Sequence, residues 1–260
     1  MAVVTSFGAY PTFNFHVHGH GGRLVTVPYQ QDREDLDGLL DAVRRENPPL
    51  VYFANPDNPM GSWWDADSIL AFARALPETT LLILDEAYCE TAPAGSTPPI
   101  AALIDMPNVI RTRTFSKAYG LAGARVGYAI TTEGTAKAFD KIRNHFGMNR
   151  IAVAAALAAL EDQVYLQEVV NKISLSRDRI AAIADANGLR ALPSVTNFVA
   201  VDCGRDDVYA RAIVDGLLQH GVFIRMPGVA PLNRCIRVSA GPQSDMALLE
   251  DALPKVLRSI

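Results

Sequence analysis

The sequence predicts an α/β protein, with a larger domain built on a mostly parallel sheet and a smaller α+β domain after it. Short runs of apolar and β-branched residues alternate with amphipathic helical stretches, which is the pattern of repeated βαβ units. Several of these runs are apolar at nearly every position, as expected of parallel strands that are covered on both faces. The pattern changes near residue 160, and this change indicates the smaller domain.

The elements of the larger domain can be justified in order along the chain. The runs that predict strands are Ala2–Thr5, Leu24–Val27, Leu50–Phe53, Leu81–Leu84, Val109–Thr112 and Val126–Ile130. Amphipathic spacing predicts helices at Asp35–Arg45 and Asp65–Ala75, and Ser62 or Asp65 is suited to cap the second helix. The Ala-rich run Ile151–Leu160 is too short to cross a bilayer and predicts a tightly packed core helix.

The smaller domain opens with a long helix. Its pattern runs from Glu161 to Asn187, and Gly188 is a suitable C-cap. The remaining predicted elements are the strands Phe198–Asp202 and Cys235–Ser239 and the helices Val208–His220 and Ser244–Ser259. We therefore expect two domains, at residues 1–160 and 161–260.

The composition argues against several classes of protein. Of the 260 residues, 49% are apolar and 20% charged, which is too apolar for a disordered chain. With 24 basic and 28 acidic residues the net charge is −4, so no basic excess is available to neutralise nucleic-acid phosphates. Cys89, Cys203 and Cys235 lack the spacing of a zinc site or a disulfide framework. We expect a cytoplasmic protein without a secretory signal that binds neither nucleic acid nor membranes.

Lys117 is the first candidate for a chemical role. It lies in a stretch of small hydroxyls, aromatic residues and glycine just after the predicted strand Val109–Thr112. Proteins of the α/β class place their ligands at the carboxyl ends of parallel strands. A desolvated lysine at such a position can form a Schiff base or carry a proton, and the alternative is a solvated surface cation.

Asp85 follows the apolar run Leu81–Leu84 directly. Burying a carboxylate without a partner is costly, so this position predicts a metal ligand, a general base or the counter-ion of a cationic ring. The structural alternatives are a helix cap and an ion pair with an arginine. The acidic strand end of an ATPase is not supported, because the chain has no GxxxxGK[ST] loop.

Two further stretches present polar side chains on constrained backbone. Arg125 lies among glycines, and together with the hydroxyls of Thr114 and Ser116 it predicts a phosphate-binding loop. The run NPDNPMG at 55–61 predicts a rigid turn. Its two prolines hold the backbone, so that Asn58 can present its amide to a ligand at little entropic cost.

Three motifs in this order resemble the fold-type-I pyridoxal-phosphate aminotransferases of class I and II, most of all the histidinol-phosphate aminotransferase group. They are NPDNPMG at 55–61, LDEAY at 84–88 and TFSKAYGLAGARVG at 114–127. The resemblance extends over essentially the whole chain, and the lysine stretch is its most specific part. It implies a three-layer large domain, a homodimer and pyridoxal 5′-phosphate as the cofactor.

The resemblance also implies roles for individual residues toward that cofactor. Lys117 would form the Schiff base and move the proton, and Asp85 would keep the pyridine nitrogen protonated. Tyr88 and Asn58 would hydrogen-bond the 3′-oxygen of the cofactor. The residues implied to hold its phosphate are Thr114, Ser116 and Arg125. Phe13 matches the aromatic residue that stacks on the ring, and the alternative for it is a plain core residue.

On the substrate side, Arg237 matches the arginine that binds the substrate carboxylate, which a planar guanidinium can hold through two hydrogen bonds. Asn197 matches a nearby asparagine. Arg225 corresponds to an arginine at the distal end of the substrate, and the alternative for it is a solvent-exposed arginine. The expected reaction transfers an amino group from an amino acid or an amino-alcohol phosphate to a 2-oxo acid in a ping-pong exchange.

Other interpretations stay open at this point. A decarboxylase, lyase or oxidase of the same fold would use the same lysine, aspartate and arginine. A truncated, non-catalytic homologue is the third hypothesis, because the family is longer at its N-terminus. We expect the first strand, the glycine-rich phosphate loop and a tyrosine that reaches the neighbouring subunit to be missing. Met60 stands where the family has threonine, and 146–150 replaces a proline-rich loop, which leaves the substrate open.

His16, His18 and His20 alternate, and on a strand they would share a face and could bind a metal ion. No cysteine or carboxylate joins them nearby. The resemblance places this stretch in a helix, where alternate residues diverge. We therefore expect no metal site.

Overall fold

A six-stranded sheet organises the first part of the structure, a computed structural model that describes residues 1–260. Its strands are β1 (Ala2–Ser6), β2 (Arg23–Val27), β3 (Leu50–Ala54), β4 (Leu81–Asp85), β5 (Val109–Thr114) and β6 (Gly127–Ile130). They lie in the order β2-β1-β3-β4-β5-β6, and only the edge strand β6 runs antiparallel to its neighbour. The predicted α/β class with a mostly parallel sheet is confirmed.

Helices connect these strands. They are α1 (Pro11–Gly19), α2 (Leu36–Glu46), α3 (Ala66–Ala75), α4 (Ile100–Leu103), α5 (Glu133–Phe139) and α6 (Arg150–Glu161). The side chain of Asp35 caps α2 by accepting from the amide of Gly38, and that of Asp65 caps α3 by accepting from Ser68. Of the two caps predicted for the second of these helices, Asp65 is therefore the right one.

The core of this part lies between the sheet and the helices α2 and α3. A cluster of 17 buried residues joins strand positions such as Val51 and Leu82 to helix positions such as Leu39 and Phe72. Both strands and helices contribute side chains to this cluster, because each buries an apolar surface against the other. This packing fixes the carboxyl ends of β3, β4 and β5 relative to one another.

The second part begins with the long helix α7 (Gln163–Ala186). It contains a three-stranded antiparallel sheet of β7 (Arg190–Ala191), β8 (Phe198–Asp202) and β9 (Cys235–Ser239), with the helices α8 (Asp207–Gln219) and α9 (Gln243–Leu257). Its own cluster of 18 buried residues extends from Ile180 to Val256. The boundary predicted at residue 160 lies next to Asp162, where α6 gives way to α7, and stays a prediction.

The Ala-rich helix α6 is not the tightly packed core helix that the sequence predicts. Only Ala152 and Ala156 are buried, whereas Ile151 is 82% exposed and Leu157 is 59% exposed. The prediction is wrong because composition records how apolar a helix is, but not whether another element covers its outer face. Neither α6 nor any other helix combines the length and the apolarity needed to cross a membrane.

Candidate active site

A cavity of about 440 Å³ opens where β3, β4 and β5 end. Parallel strands meet their ligands at this edge of a sheet. Most of the residues predicted from the sequence line it, namely Asn58, Asp85, Tyr88, Thr114, Ser116, Lys117 and Arg125. Three separate motifs along the chain are thereby brought to one place.

Asp85, the last residue of β4, presents its carboxyl group to this cavity. The Tyr52 hydroxyl donates to Oδ2 at 2.6 Å, and the amide of Ala87 donates to Oδ1 at 3.0 Å. Burial raises the pKa of Asp85 above its ordinary value, and these hydrogen bonds and the charge of Lys117 oppose that effect. The carboxyl group is held in one orientation while one side of it faces the cavity.

Lys117 lies in the loop after β5, and its ammonium nitrogen is 4.9 Å from the centre of the Tyr88 ring. Burial lowers the pKa of Lys117, and the charge of Arg237 adds to this effect while Asp85 opposes it. A lowered pKa increases the share of the neutral amine. That form is the nucleophile and the proton acceptor.

A site suited to an anion lies on the rim of the cavity. The guanidinium of Arg125 donates to Ser116 Oγ at 3.3 Å and to the carbonyl of Ala122 at 3.0 Å, and the amide of Ser116 donates to Thr114 Oγ1 at 3.1 Å. Arg125 has a φ of 55°, a left-handed conformation that is uncommon outside glycine. A Cβ atom at Gly127 would lie 2.6 Å from the carbonyl oxygen of Arg113, so glycine allows the close strand pairing here.

Asn58 connects the cavity to the second part of the chain. Its Nδ2 faces the Tyr88 hydroxyl at 3.4 Å, and its Oδ1 accepts from Arg237 Nη1 at 2.5 Å. Burial lowers the pKa of Arg237, while burial raises that of Tyr88. The Nε of Arg237 is buried and has no hydrogen-bond partner. An arginine with a free buried donor beside the cavity is suited to bind a carboxylate.

The remaining predicted residues do not line the cavity. Phe13, on α1, stacks on Tyr52 with 4.3 Å between ring centres, and Tyr10 from the same segment lines the cavity. Arg225 is exposed and pairs with Arg237 only through the backbone. Asn197 accepts from the amide of Ala240 through its carbonyl oxygen, and no side-chain hydrogen bond holds it. Their binding roles stay predictions.

Sequence reasoning missed Tyr52, which orients Asp85. The run that forms β3 indicates a buried apolar strand, so its tyrosine is interpreted as a core residue. The available signal was alternation, since residues two apart on a strand share a face, and Tyr52 and Ala54 both line the cavity. Tyr10 was missed as well, because its neighbours in the cavity come from distant parts of the sequence.

The alternating histidines lie around the end of α1. His16 and His18 are exposed in its last turn, and His20 follows the helix with Nδ1 2.9 Å from the carbonyl of His16. No group of three or more His, Cys, Asp or Glu side chains in the chain is arranged to hold a metal ion. The helical environment that the resemblance implied for these residues is what the structure shows.

The fold and the cavity together define an α/β protein with a lysine, an aspartate and an arginine around one cavity. Residues 2–256 match the model of the family "Aminotransferase class I and II". The chain belongs to that family. The family and the fold class predicted from the sequence are confirmed.

Curated relatives and a solved structure give the same result. The chain is 34% identical to histidinol-phosphate aminotransferase 1 of Idiomarina loihiensis, covering 95% of this chain and 67% of the relative. It is 38% identical to histidinol-phosphate aminotransferase 1 of Nitrosococcus oceani, covering 91% and 63%. The structure of histidinol-phosphate aminotransferase from Sinorhizobium meliloti in complex with pyridoxal-5′-phosphate is 72% identical, with a TM-score of 0.98, covering 99% and 71%. The chain thus spans about two thirds of the length of these proteins.

Proposed function

We propose that the protein is a pyridoxal-phosphate-dependent aminotransferase whose amino donor is an amino-alcohol phosphate like histidinol phosphate and whose acceptor is a 2-oxo acid. The observation that carries this proposal is one cavity that combines the desolvated Lys117, the buried Asp85 and the hydroxyl and guanidinium groups at its rim. The names of the curated relatives and the cofactor in the S. meliloti structure support it.

The residues present fit pyridoxal phosphate. When bound, the cofactor supplies an electron-accepting ring and an aldehyde that reacts with amines. Asp85 is suited to hold a protonated ring nitrogen, because Tyr52 and Ala87 fix its carboxyl group on the other side. Tyr88 and Asn58 are positioned for the 3′-oxygen. The rim residues suited to bind the phosphate group are Thr114, Ser116 and Arg125.

Lys117 is the residue that we assign to proton transfer. Burial lowers its pKa, so the neutral amine is available to accept a proton at Nζ and to return it. The Tyr88 ring lies 4.9 Å from this nitrogen and excludes water from one side of it. The Lys117 amine is thereby partly desolvated, which reduces competing proton exchange with water.

Arg237 is the residue that we assign to the carboxylate of the 2-oxo acid acceptor, because the proposed amino-alcohol phosphate donor has no carboxylate. Asn58 holds its Nη1, which orients the guanidinium plane, and its buried Nε stays available to an acceptor. Arg225 and Asn197 complete the substrate side of the proposal, with Arg225 placed toward the distal end of the donor. Both follow the resemblance of their positions to the family.

A cytoplasmic homodimer is part of the proposal. Large apolar side chains are exposed on and around α6, with Ile142 at 83%, Phe146 at 94% and Ile151 at 82%. Large exposed apolar side chains of this kind are typical of protein interfaces, and a second copy of the chain is the occupant that we propose. All the cysteines are free, which suits a reducing compartment.

The deciding experiment compares Lys117→Ala with the wild type, using Lys137→Ala as a control because Lys137 is an exposed residue paired with Glu133. We expect the wild type to retain pyridoxal phosphate covalently after borohydride reduction, and to convert histidinol phosphate to the corresponding ketone phosphate while the 2-oxo acid acceptor becomes its amino acid. Lys117→Ala should lose the covalent adduct and about 10⁴-fold in turnover, the upper end of what one acid–base group contributes. Normal transamination by Lys117→Ala would overturn the assignment, and release of CO₂ from an amino-acid donor without conversion of the 2-oxo acid acceptor would identify a decarboxylase.

A further inference from the structure

Glu34 is a buried carboxyl group that the proposed reaction does not use. It lies between β2 and α2, is 1% exposed and forms no ion pair. Its Oε2 accepts one hydrogen bond, from the amide of Ala54 at 3.2 Å. Its Oε1 is buried and has no hydrogen-bond partner. A buried acid in this state needs an explanation, because unpaired buried charge is among the most costly features of a folded protein.

The contact with Ala54 places Glu34 beside the active site. β3 pairs with β1 only at its start, through Leu50 and Val51, so the amide of Ala54 has no acceptor on that side. The next amide, of Asn55, points the other way and donates to the carbonyl of Asp85 at 2.9 Å. The Glu34 carboxyl group therefore replaces a missing strand partner on the residue that pairs with Asp85 in the sheet.

The other groups around Glu34 are acids and hydroxyls. The charges of Asp57, in the turn after β3, and of Asp85, at the end of β4, act on it, and the hydroxyl of Ser6, at the end of β1, faces it. The nearby phenol hydroxyls donate to other carboxyl groups: Tyr29 donates to Asp57 at 2.7 Å and Tyr52 donates to Asp85 at 2.6 Å.

The cations in the neighbourhood are directed to other groups. Arg33, the preceding residue, has its guanidinium carbon 3.4 Å from the centre of the Trp64 ring. The positive charge of Lys117 acts on Asp85, and that of Arg237 acts on Asp57. Glu34 thus has other acids as neighbours and is left without a counter-ion.

These surroundings favour the uncharged acid. Burial raises the pKa of Glu34 well above its ordinary value, the charges of Asp57 and Asp85 add to this effect, and the hydrogen bond from the amide of Ala54 and the nearby Ser6 hydroxyl oppose it only in part. Since Oε2 accepts from the amide of Ala54 and Oε1 has no partner, the proton belongs on Oε1.

We propose that Glu34 is a positioning residue that stays protonated in the folded protein, so that β3 is held against β4 without a second negative charge behind Asp85. This inference rests on the proposed function only where it gives Asp85 the task of holding the cofactor's ring nitrogen. An ionised Glu34 would repel that carboxylate and favour its protonation, which would weaken its grip on a protonated ring nitrogen.

The proposal has a consequence for stability that does not involve the cofactor. In the unfolded chain a glutamate ionises near its ordinary pKa of about 4.3, whereas in the folded protein Glu34 keeps its proton. Folding therefore loses stability as pH rises above that value, by about tenfold in the folding equilibrium for each pH unit, until Glu34 ionises in the folded state as well. Glu34→Gln keeps the shape and hydrogen bonds of the neutral acid and removes this pH dependence of the folding equilibrium.

The test is infrared difference spectroscopy of the protein as isolated at pH 7, with Glu34→Gln against the wild type. We expect the variant to lose one absorption band of a protonated carboxyl group. Glu46→Gln is the matched control and should lose no such band, because Arg23 and Arg45 lower the pKa of Glu46 and keep it ionised. Denaturant unfolding at a series of pH values above about 4.3 should show Glu34→Gln gaining stability relative to the wild type as pH rises.

A spectrum in which Glu34→Gln and wild type have the same protonated-carboxyl bands would overturn the proposal. If Glu34→Gln does not fold, Ser6→Ala keeps the acid and removes a buried hydroxyl that acts on Glu34 and has no other hydrogen-bond partner. It should then shift the band, and an unshifted band counts against the proposal in the same way. Titration with pyridoxal phosphate distinguishes failure of the Glu34 proposal from failure of the proposed function. If the wild type binds no pyridoxal phosphate but Glu34→Gln still loses the protonated-carboxyl band, the proposed function is contradicted and the protonated Glu34 is supported.

Discussion

The site edge and the outer edge of the same sheet are built in opposite ways. At the carboxyl ends of β4 and β5, Glu86 and Arg111 are each 1% exposed and joined at 2.7 Å, and Arg113 binds the other carboxylate oxygen at 2.8 Å. Around β6, α5 and α6, the ion pair Glu133–Lys137 is exposed, and large apolar side chains face outward. Charges are therefore buried where the site is formed, and apolar groups are exposed where it is not.

This difference indicates which part of the chain determines the site geometry. The buried ion pairs and hydrogen bonds of β3, β4 and β5 are completed by residues of this chain, so the positions of Asp85 and Lys117 follow from internal contacts. The surface of α6 has no such internal partner. We therefore expect substitutions at the site edge to change stability, and substitutions at the outer edge to change association.

The largest effect is expected from the buried ion pair. Glu86→Ala leaves the guanidinium of Arg111 buried and unpaired, which should cost about 3–5 kcal/mol in the free energy of unfolding. Glu133→Ala removes the exposed pair with Lys137 and should cost less than about 0.5 kcal/mol. Urea unfolding of both variants measures the contrast. Equal losses would show that the two edges do not differ in this way.

A smaller effect is expected from one buried leucine of β4 and one exposed leucine of α6. Leu82 is fully buried, and Leu82→Ala should destabilise the fold by about 2–5 kcal/mol. Leu157 is 59% exposed, and Leu157→Ala should change stability by no more than about 0.5 kcal/mol. If α6 lies in the proposed interface, sizing by light scattering should show weaker association for Leu157→Ala, with Leu218→Ala, 54% exposed on α8, as the control. Unchanged association would place the interface elsewhere.

A further effect concerns pH. Burial raises the pKa of Asp57 from its ordinary value to about 7. A raised pKa gives stability that is present at low pH and lost as pH rises from about 4 to about 7, by at most about 1.4 kcal/mol per pH unit. Asp57→Asn should flatten unfolding stability over this range. A profile identical to the wild type would show that Asp57 is ionised in the folded protein.

Sequence reasoning reached most of the candidate site because its motifs are local. Lys117, Ser116 and Arg125 lie within one loop, and Asp85 directly follows an apolar run. Both features can therefore be recognised from the order of residues alone. Tyr52 was not found, since its role depends on the pairing of β3 with β4. Glu34 was not found either, because its lack of a counter-ion is a property of five separate segments that meet only in the folded chain.

The sequence by itself determined the α/β class, the mostly parallel sheet, the family and seven residues that line the cavity, because periodicity and motif spacing are carried by neighbours along the chain. Only the tertiary structure decided which groups are buried and which are exposed to solvent. It showed that α6 is exposed where its composition predicts a core helix, and that Glu34 is buried among Asp57 and Asp85. Burial is decided by what packs on the outer face of an element. That information lies in contacts between residues distant in sequence.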